Sequence, residues 1–303
     1  MIAWVLAALS APLCHMAGIT GWAEVAVAGV LCTWLSVERF RQTDEITVCP
    51  KWFAVSACIC LVLVTGVCLA LAGSTWPTGD TTSIVPIVLL LLAVWSAWEG
   101  AEKASRTGSV LMWLLLLLFA AVVAGGIGNV KLSRIELSGR MSNGLVFLVF
   151  LLPGVAKLLP IAKGQSKLFW ILPGFSALIA FLVKGTLSEP VAGALVNPFY
   201  EFGKSLSLFG VVERYESLVS VALTIGYFCL LSMLLSSAYH LSESIYEGKG
   251  RQGVILTALG SVWVMIIPIK SYHFPALLVL IAWFVLPAVR NILVKKTVEK
   301  RRK

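Results

Sequence analysis

Residues 145–160 read LVFLVFLLPGVAKLLP, an apolar run that Pro153 and Gly154 interrupt at its centre, with Lys157 one turn later. The run belongs to a segment long enough to cross a hydrocarbon core of about 30 Å, which takes about 20 residues of helix. Proline frees a backbone carbonyl and the bilayer holds no water to satisfy it, so broken helices occur where they line a cavity inside the protein. We therefore expect a binding site around Leu152, Pro153 and Gly154.

Apolar runs bounded by charged or turn residues continue along the whole chain and predict an all-α membrane protein with ten spans. They are 1–16, 19–37, 52–73, 83–99, 109–129, 144–162, 168–187, 215–240, 253–269 and 274–294. With 59% hydrophobic and 13% charged residues, the composition excludes a soluble enzyme, a secreted disulfide scaffold and a DNA-binding domain. For the first segment a cleaved signal peptide is the alternative, although no Lys or Arg precedes the apolar run.

Positive charge is distributed unevenly between the two sides of the predicted bundle. The net charge is +9, and the stretch from Arg290 to Lys303 alone holds seven Lys or Arg and one Glu. Of the 24 Lys and Arg, sixteen fall on the side of this tail and seven on the opposite side, while Lys157 lies within a span. Because cytoplasmic loops carry the excess of positive charge, the bias predicts a cytoplasmic C-terminus with a basic tail at 295–303. The expected partner of these basic residues is the lipid bilayer and not a nucleic acid.

The cysteines and titratable residues form no catalytic or metal-binding motif. The seven cysteines include no C-x-x-C pair and no Cys/His cluster, so we expect neither disulfides nor a metal site. Paired carboxylates, an H-E-x-x-H motif and a P-loop lysine are missing from the spans, so neither an enzymatic activity nor a cofactor is expected.

The first predicted span shares an interruption with the sixth, since Pro12 is followed by Gly18. The first and sixth of ten spans occupy corresponding positions in two five-helix halves, about 1–130 and about 144–294, of one transmembrane domain. This pairing is typical of transporters built from inverted repeats, whose site lies at the helix breaks. Two kinked helices without a ligand are the alternative. The candidate ligand-binding residues of the first span are Pro12, Cys14, His15, Met16 and Gly18.

The long connection 188–214 is too apolar for a flexible linker. Phe199, Phe202, Leu206 and Phe209 recur at spacings of three and four residues, which predicts a short amphipathic helix packed on the outer face of the bundle. It is either a gating element or an ordinary interfacial helix.

Several of these blocks resemble the B-subunits of spore germinant receptors. Residues 100–106, GAEKASR, resemble the G-x-E-x-x-[AS]-R signature of that family. The blocks NPF at 197–199, SLS at 205–207 and VERYESL at 212–218 are similar to its Pro-Phe loop and the E-R-x-E start of a helix. The Pro12 region and the C-terminal end of the chain also look like theirs, although this chain starts partway into the family's first helix.

The resemblance implies a fold of the amino acid–polyamine–organocation (LeuT-like) superfamily, with five plus five inverted helices. It implies a nutrient-sensing subunit in the inner membrane of a bacterial endospore, with a membrane-bound A-type subunit and a lipoprotein C-type subunit as partners. In this fold the third and eighth helices flank the broken ones. Four further ligand-binding candidates follow from that, Thr65 and Cys68 in the third span and Tyr227 and Ser232 in the eighth.

Two charged residues inside predicted spans are candidates for ion coupling. A carboxylate such as Glu24 is a functional candidate when it lies within the membrane, but it can also lie among the headgroups. Lys157 either takes the place of a coupling cation or extends its ammonium to the interface.

Two further charged groups are candidate gates. Glu102 and Arg106 are four residues apart at a helix end, which makes them either a surface ion pair or, given the resemblance, an interface or gate. Glu213, Arg214 and Glu216 open the eighth span, where they either complement the helix dipole or tie the outer loop to the bundle.

Three functions are consistent with these observations. In the first, a germinant-sensing subunit binds an amino acid, whose carboxylate meets freed N–H groups near Met16–Gly18 and whose ammonium meets freed carbonyls near Leu152–Pro153. The second is an amino-acid transporter that uses the same site, and the third is a membrane scaffold without a ligand.

Overall fold

The structure is a computed structural model, and it describes residues 2–17, 51–73, 75, 84–134, 171–195, 197–206 and 215–266. Within these residues the secondary structure is helical. The helices are α1 (Ile2–Ala17), α2 (Lys51–Gly73), α3 (Ile84–Ala97), α4 (Ala101–Ile127), α5 (Ile171–Leu187), α6 (Glu189–Ala194), α7 (Pro198–Ser205), α8 (Glu216–Ile245) and α9 (Gly250–Ile266), with a 3₁₀ turn at Leu132–Arg134.

The helices agree with the predicted spans wherever the chain is described. Seven of the ten spans contain a helix, namely α1 to α5, α8 and α9, while 19–37, 144–162 and 274–294 lie outside the described residues. Three of the described helices are long and apolar enough to cross a membrane: Val55–Gly73, Ala101–Ile127 and Glu216–Ile245. The described part is therefore compatible with a polytopic helical membrane protein.

The fourth helix begins earlier than its apolar run. The prediction placed the start at residue 109, but α4 starts at Ala101, directly after Gly100. Gly100 has φ 92°, a backbone conformation that other residues rarely adopt, and it allows the sharp turn out of α3. Ala104 and Ser105 are buried in this first part of α4, so one face of the polar stretch packs inward.

Helix α8 is the centre of the bundle. It packs against α1, α2, α3, α4 and α9, and its N-terminal part also contacts α7. In its most apolar window 72% of the residues are buried, against 33% in α4. The outward face of α4 is apolar as well, for example at Trp113 and Leu117. An exposed apolar face is favourable when lipid and not water covers it.

Glycines mark the closest helix crossings. A Cβ placed on Gly226 of α8 would lie 2.6 Å from Cβ of Ala11 in α1, and one on Gly66 of α2 would lie 2.5 Å from Cβ of Val264 in α9. Helices in membranes gain little from the hydrophobic effect on pairing, so they depend on close van der Waals contact at small residues.

The helix ends gather at two opposite faces of the bundle. At the first face, the Glu243 carboxylate accepts the backbone N–H groups of Gly248 and Gly250 at 2.7 and 2.8 Å, which caps the start of α9. Arg251 stacks over the ring of Trp98 at 5.6 Å and so joins the α8–α9 turn to the α3–α4 turn. We call this face the Trp98 face. Of the cations that the charge count assigned to the side of the C-terminal tail, the described residues Lys103, Arg106, Lys249 and Arg251 lie here.

The opposite face joins the other ends of the helices. Oγ of Ser220 donates to the backbone carbonyl of Thr75 at 3.0 Å, connecting the end of α2 to the start of α8. The backbone N–H of Lys131 donates to the carbonyl of Gly185 at 3.0 Å, and the Arg134 guanidinium donates to a neighbouring carbonyl of α5. We call this the Thr75 face.

The short amphipathic helix expected in 188–214 is present as α7. Asn197 caps it, with Oδ1 accepting the N–H of Tyr200 at 3.2 Å. Phe199 and Phe202 are fully buried, and the ring of Phe199 lies 6.3 Å from that of Phe119 in α4. The helix is thus packed into the bundle at the Thr75 face. Phe209 lies outside the described residues.

Candidate functional site

The first span continues as a helix through its proline. Pro12 is buried inside α1, which runs without interruption from Ile2 to Ala17. Proline removes one backbone hydrogen bond, the one to the carbonyl four residues earlier. Helix α1 also packs against α8, α4 and α5, and these contacts stabilise it. A break at Pro12 itself is therefore a wrong prediction.

The expected anion site near Met16–Gly18 is described only in part. Met16 and Ala17 belong to α1, so their N–H groups are directed toward carbonyls one turn earlier in the same helix. Gly18, the third residue of that expected site, lies outside the described residues.

Two of the predicted ligand-binding residues belong to the helices that cross at Gly226, His15 in α1 and Tyr227 in α8. Gly226 meets Ser10 and Ala11 of α1, and the next residue, Tyr227, is fully buried. His15 lies one turn beyond Ala11 on the same helix and is 2% exposed. Helix α1 therefore packs directly against the eighth span, while the flanking of a binding site by that span stays a prediction.

Thr65 and Cys68 of the third span belong to a different part of the bundle. Both are fully buried in α2, which packs against α8, α9 and α3 and has no extensive contact with α1 among the described residues. They lie on one stripe of α2, about 100° (Thr65) and about 160° (Cys68) around the helix from the Gly66 face that meets α9. The prediction that the third span flanks the broken helices stays open, because the sixth span lies outside the described residues.

Two of the candidate hydroxyl groups already donate a hydrogen bond within their own helix. Oγ1 of Thr65 donates to the carbonyl of Leu61 at 2.6 Å, and Oγ of Ser232 donates to the carbonyl of Phe228 at 2.8 Å. These side chains need no ligand to satisfy their donors, and they could only accept a hydrogen bond from one. Thr65 and Ser232 are therefore weaker candidates than their burial suggests.

His15 differs from these hydroxyl groups. Its Nδ1 is buried and has no hydrogen-bond partner among the described residues, and the same holds for Nε1 of Trp4 on the same helix. An unsatisfied buried polar atom costs about 1–3 kcal/mol, so its persistence calls for a reason such as a bound molecule. Cys14, beside it, is a fully buried free thiol.

The signature pair Glu102 and Arg106 lies on the surface. The two side chains are 81% and 76% exposed, with Oε1 and a guanidinium nitrogen 2.7 Å apart. Exposed pairs at this spacing contribute about 0.3–0.5 kcal/mol. Within the described residues the pair closes no passage, so a role would require contact with another molecule.

Glu216 begins α8 beside the short helix α7. A Cβ on Gly203 of α7 would lie 3.7 Å from Cα of Glu216. On α7 itself, Nζ of Lys204 lies 2.9 Å from Oε1 of Glu201, and this hydrogen bond raises the pKa of Lys204, with Glu216 acting in the same direction. The start of α8 and the outer helix are thus electrostatically connected.

Several predicted residues have no described position. These are Gly18, Glu24, Leu152, Pro153, Gly154, Lys157, Glu213 and Arg214. The sixth-span half of the expected site therefore stays a prediction.

Other features were not predicted by the residue patterns. Gly226 sets the α1–α8 distance and Trp4 fills the space beside Gly108 of α4; glycines inside apolar spans are the signal that could have indicated such crossings. Among the described residues no three His, Cys, Asp or Glu side chains are grouped so that they could hold a metal ion.

Comparison of the chain with protein-family models and with curated proteins finds no match in either set.

Proposed function

We propose that this chain is the permease-like, nutrient-sensing subunit of a spore germination receptor in a bacterial membrane, and that it binds a small zwitterion such as an amino acid. The observation that carries the proposal is His15, whose ring nitrogen Nδ1 is buried and unpartnered among the described residues. The residue lies next to the α1–α8 crossing at Gly226. The sequence resemblance supplies the receptor context and the A-type and C-type partner subunits.

The proposed role of His15 is to hydrogen-bond the ligand. A neutral imidazole offers one donor and one acceptor nitrogen, so Nδ1 suits either a carboxylate or an ammonium group of the ligand. The carbonyls of the last turn of α1 add a partial negative charge, which favours the ammonium group. The carboxylate is then expected at the sixth span, around Pro153 and Gly154.

The signal in this proposal is a movement of α7. This helix covers the Thr75 face and packs on both α4 and α8, through Phe202 against Gly126 and through Gly203 against Val219. A ligand shifts such an element only if it binds one arrangement of the bundle more tightly than the other.

A thermal-shift screen of the purified chain with amino acids, sugars and nucleosides tests ligand binding. A ligand at one hundred times its Kd stabilises the folded state by about 2.7 kcal/mol. We expect a shift with one chemical class, its loss in His15→Gln, and its retention in the control His240→Gln, which changes an exposed histidine. A shift that persists unchanged in His15→Gln contradicts the proposed site.

Uptake into proteoliposomes separates sensing from transport. A receptor binds without accumulating the ligand, whereas accumulation would identify the chain as an amino-acid transporter that uses the same site. A flat thermal-shift panel from folded protein, both alone and with its partner subunits, would support the scaffold function instead.

A further inference from the structure

A groove of about 560 Å³ lies between α3, α4 and α8, away from α1. Its open side is apolar, since Trp95 is 79% exposed and Leu92 is 46% exposed. Because these residues belong to a predicted span, we expect bilayer and not water in front of the groove.

The groove changes in polarity along its length. At the Trp98 face its walls carry Ser96, Glu99, Lys103 and Thr107, and deeper in the bundle they carry Leu89, Leu111, Ile225 and Phe228. From Ala97, the last residue of α3, back to Leu89 the helix covers eight positions, about 12 Å at ~1.5 Å per residue. That length is somewhat less than one leaflet of a hydrocarbon core roughly 30 Å thick.

The polar mouth of the groove is lined by Lys103 and Glu99, and Arg251 lies beside it, over the ring of the lining residue Trp98. The Lys103 ammonium contacts the Glu99 carboxylate, which lowers the pKa of Glu99 and keeps it ionised, and the Arg251 guanidinium acts in the same direction. Two cations therefore face one carboxylate. A phosphate group would balance the excess charge, and the two tryptophans at the mouth, Trp95 and Trp98, are of the residue type enriched at headgroup depth.

We propose that this groove binds one membrane glycerophospholipid of anionic headgroup. Its phosphate lies at Lys103 and Arg251, and one acyl chain follows the apolar wall past Leu111 and Phe228. The site is independent of the proposed nutrient site, because it shares no residue with α1. It would make the arrangement of α3 and α4 on α8 dependent on the lipid composition of the membrane.

The test uses the full chain in phosphatidylcholine vesicles that contain phosphatidylglycerol with a photoactivatable acyl chain. Peptide mapping should place the crosslinks on the groove-facing residues of α3, α4 and α8. Leu111→Trp fills the apolar wall and should remove them, whereas the control Leu117→Trp, on the exposed side of α4, should leave them unchanged. Crosslinks spread evenly over the exposed leucines, or a second copy of the chain crosslinked in the groove, would overturn the proposal.

A second pair of variants tests the headgroup and leaves the packed interior untouched. Lys103→Gln should weaken retention of the phosphatidylglycerol probe about fivefold, equivalent to the about 1 kcal/mol that one basic residue contributes at an anionic surface. It should leave a phosphatidylcholine probe unaffected, and the control Arg106→Gln, one turn along α4, should change neither. Equal retention of both probes by Lys103→Gln and by the unsubstituted chain would refute the anionic headgroup site.

Discussion

Replacing Gly226 with alanine tests the helix crossing on which the proposed nutrient site depends. The new Cβ would lie 2.6 Å from Cβ of Ala11 and 3.1 Å from both the backbone nitrogen of Ala11 and Oγ of Ser10. Carbon atoms in contact prefer separations of about 3.5–4.0 Å, so α1 must move away by about 1 Å. Neither the Cβ nor the backbone of Ala11 can relieve the contact by rotating a side chain.

The expected change in the free energy of unfolding of Gly226→Ala combines two opposing contributions. Overpacking in a rigid core costs about 1–3 kcal/mol, while glycine to alanine inside a helix gains up to about 1 kcal/mol in helix propensity. Gly174 is the matched control, because it is an exposed helical glycine of α5 with no atom within 4 Å of an added Cβ. Gly174→Ala should show the propensity gain alone, so the difference between the two variants isolates the packing cost.

The assay is reversible unfolding of the purified protein in mixed micelles with a denaturing detergent, followed by tryptophan fluorescence. We expect Gly226→Ala to be less stable than Gly174→Ala by about 1–3 kcal/mol, and Ala11→Gly in the same chain to recover part of the loss. Equal stability of the two alanine variants would show that α1 does not cross α8 at this point, and the position inferred for His15 would fail with it.

Three other changes probe the faces of the bundle. Glu243→Gln removes the anionic cap at the start of α9 and should lower the melting temperature, whereas the exposed control Glu247→Gln should not. Phe202→Ala empties a buried position of α7 and should cost about 3–5 kcal/mol, which limited proteolysis within 188–206 would report as faster cleavage. Ser220→Ala deletes the hydrogen bond to Thr75 and should cost about 0.5–1.5 kcal/mol, measured by the same detergent unfolding.

The presence of the helices was predictable because the bilayer imposes their length. An apolar run of about 20 residues has few alternatives to a helix in lipid, and every described span contains one. The start of α4 was not predictable from hydropathy, because the charged residues Glu102 and Arg106 lie before the apolar run that begins at residue 109. Once the segment is helical, these charges share the exposed side and Ala104 and Ser105 turn inward.

The candidate site was predictable only in part, because it depends on which helices meet. The sequence indicates that His15 and Tyr227 lie in apolar spans, and the structure adds that α1 and α8 cross beside them. It also separates Thr65 from α1, which no local pattern could reveal. Hydropathy indicates that a helix lies in the membrane. It does not indicate which other helix packs against each side of it, because that depends on close contacts such as that of Gly226 with Ala11.

The hydroxyl groups of α8 show why a buried polar residue in a span is a weak indicator of a site. Ser232, Ser236 and Ser237 are all buried, and each donates to the carbonyl one turn earlier in α8, at 2.7 to 2.9 Å. A short hydroxyl side chain can always satisfy its donor in this way. An imidazole is held farther from its own backbone, so it needs a partner from elsewhere. That difference in reach makes His15, whose Nδ1 has no partner among the described residues, a better candidate for the proposed ligand than the more numerous serines.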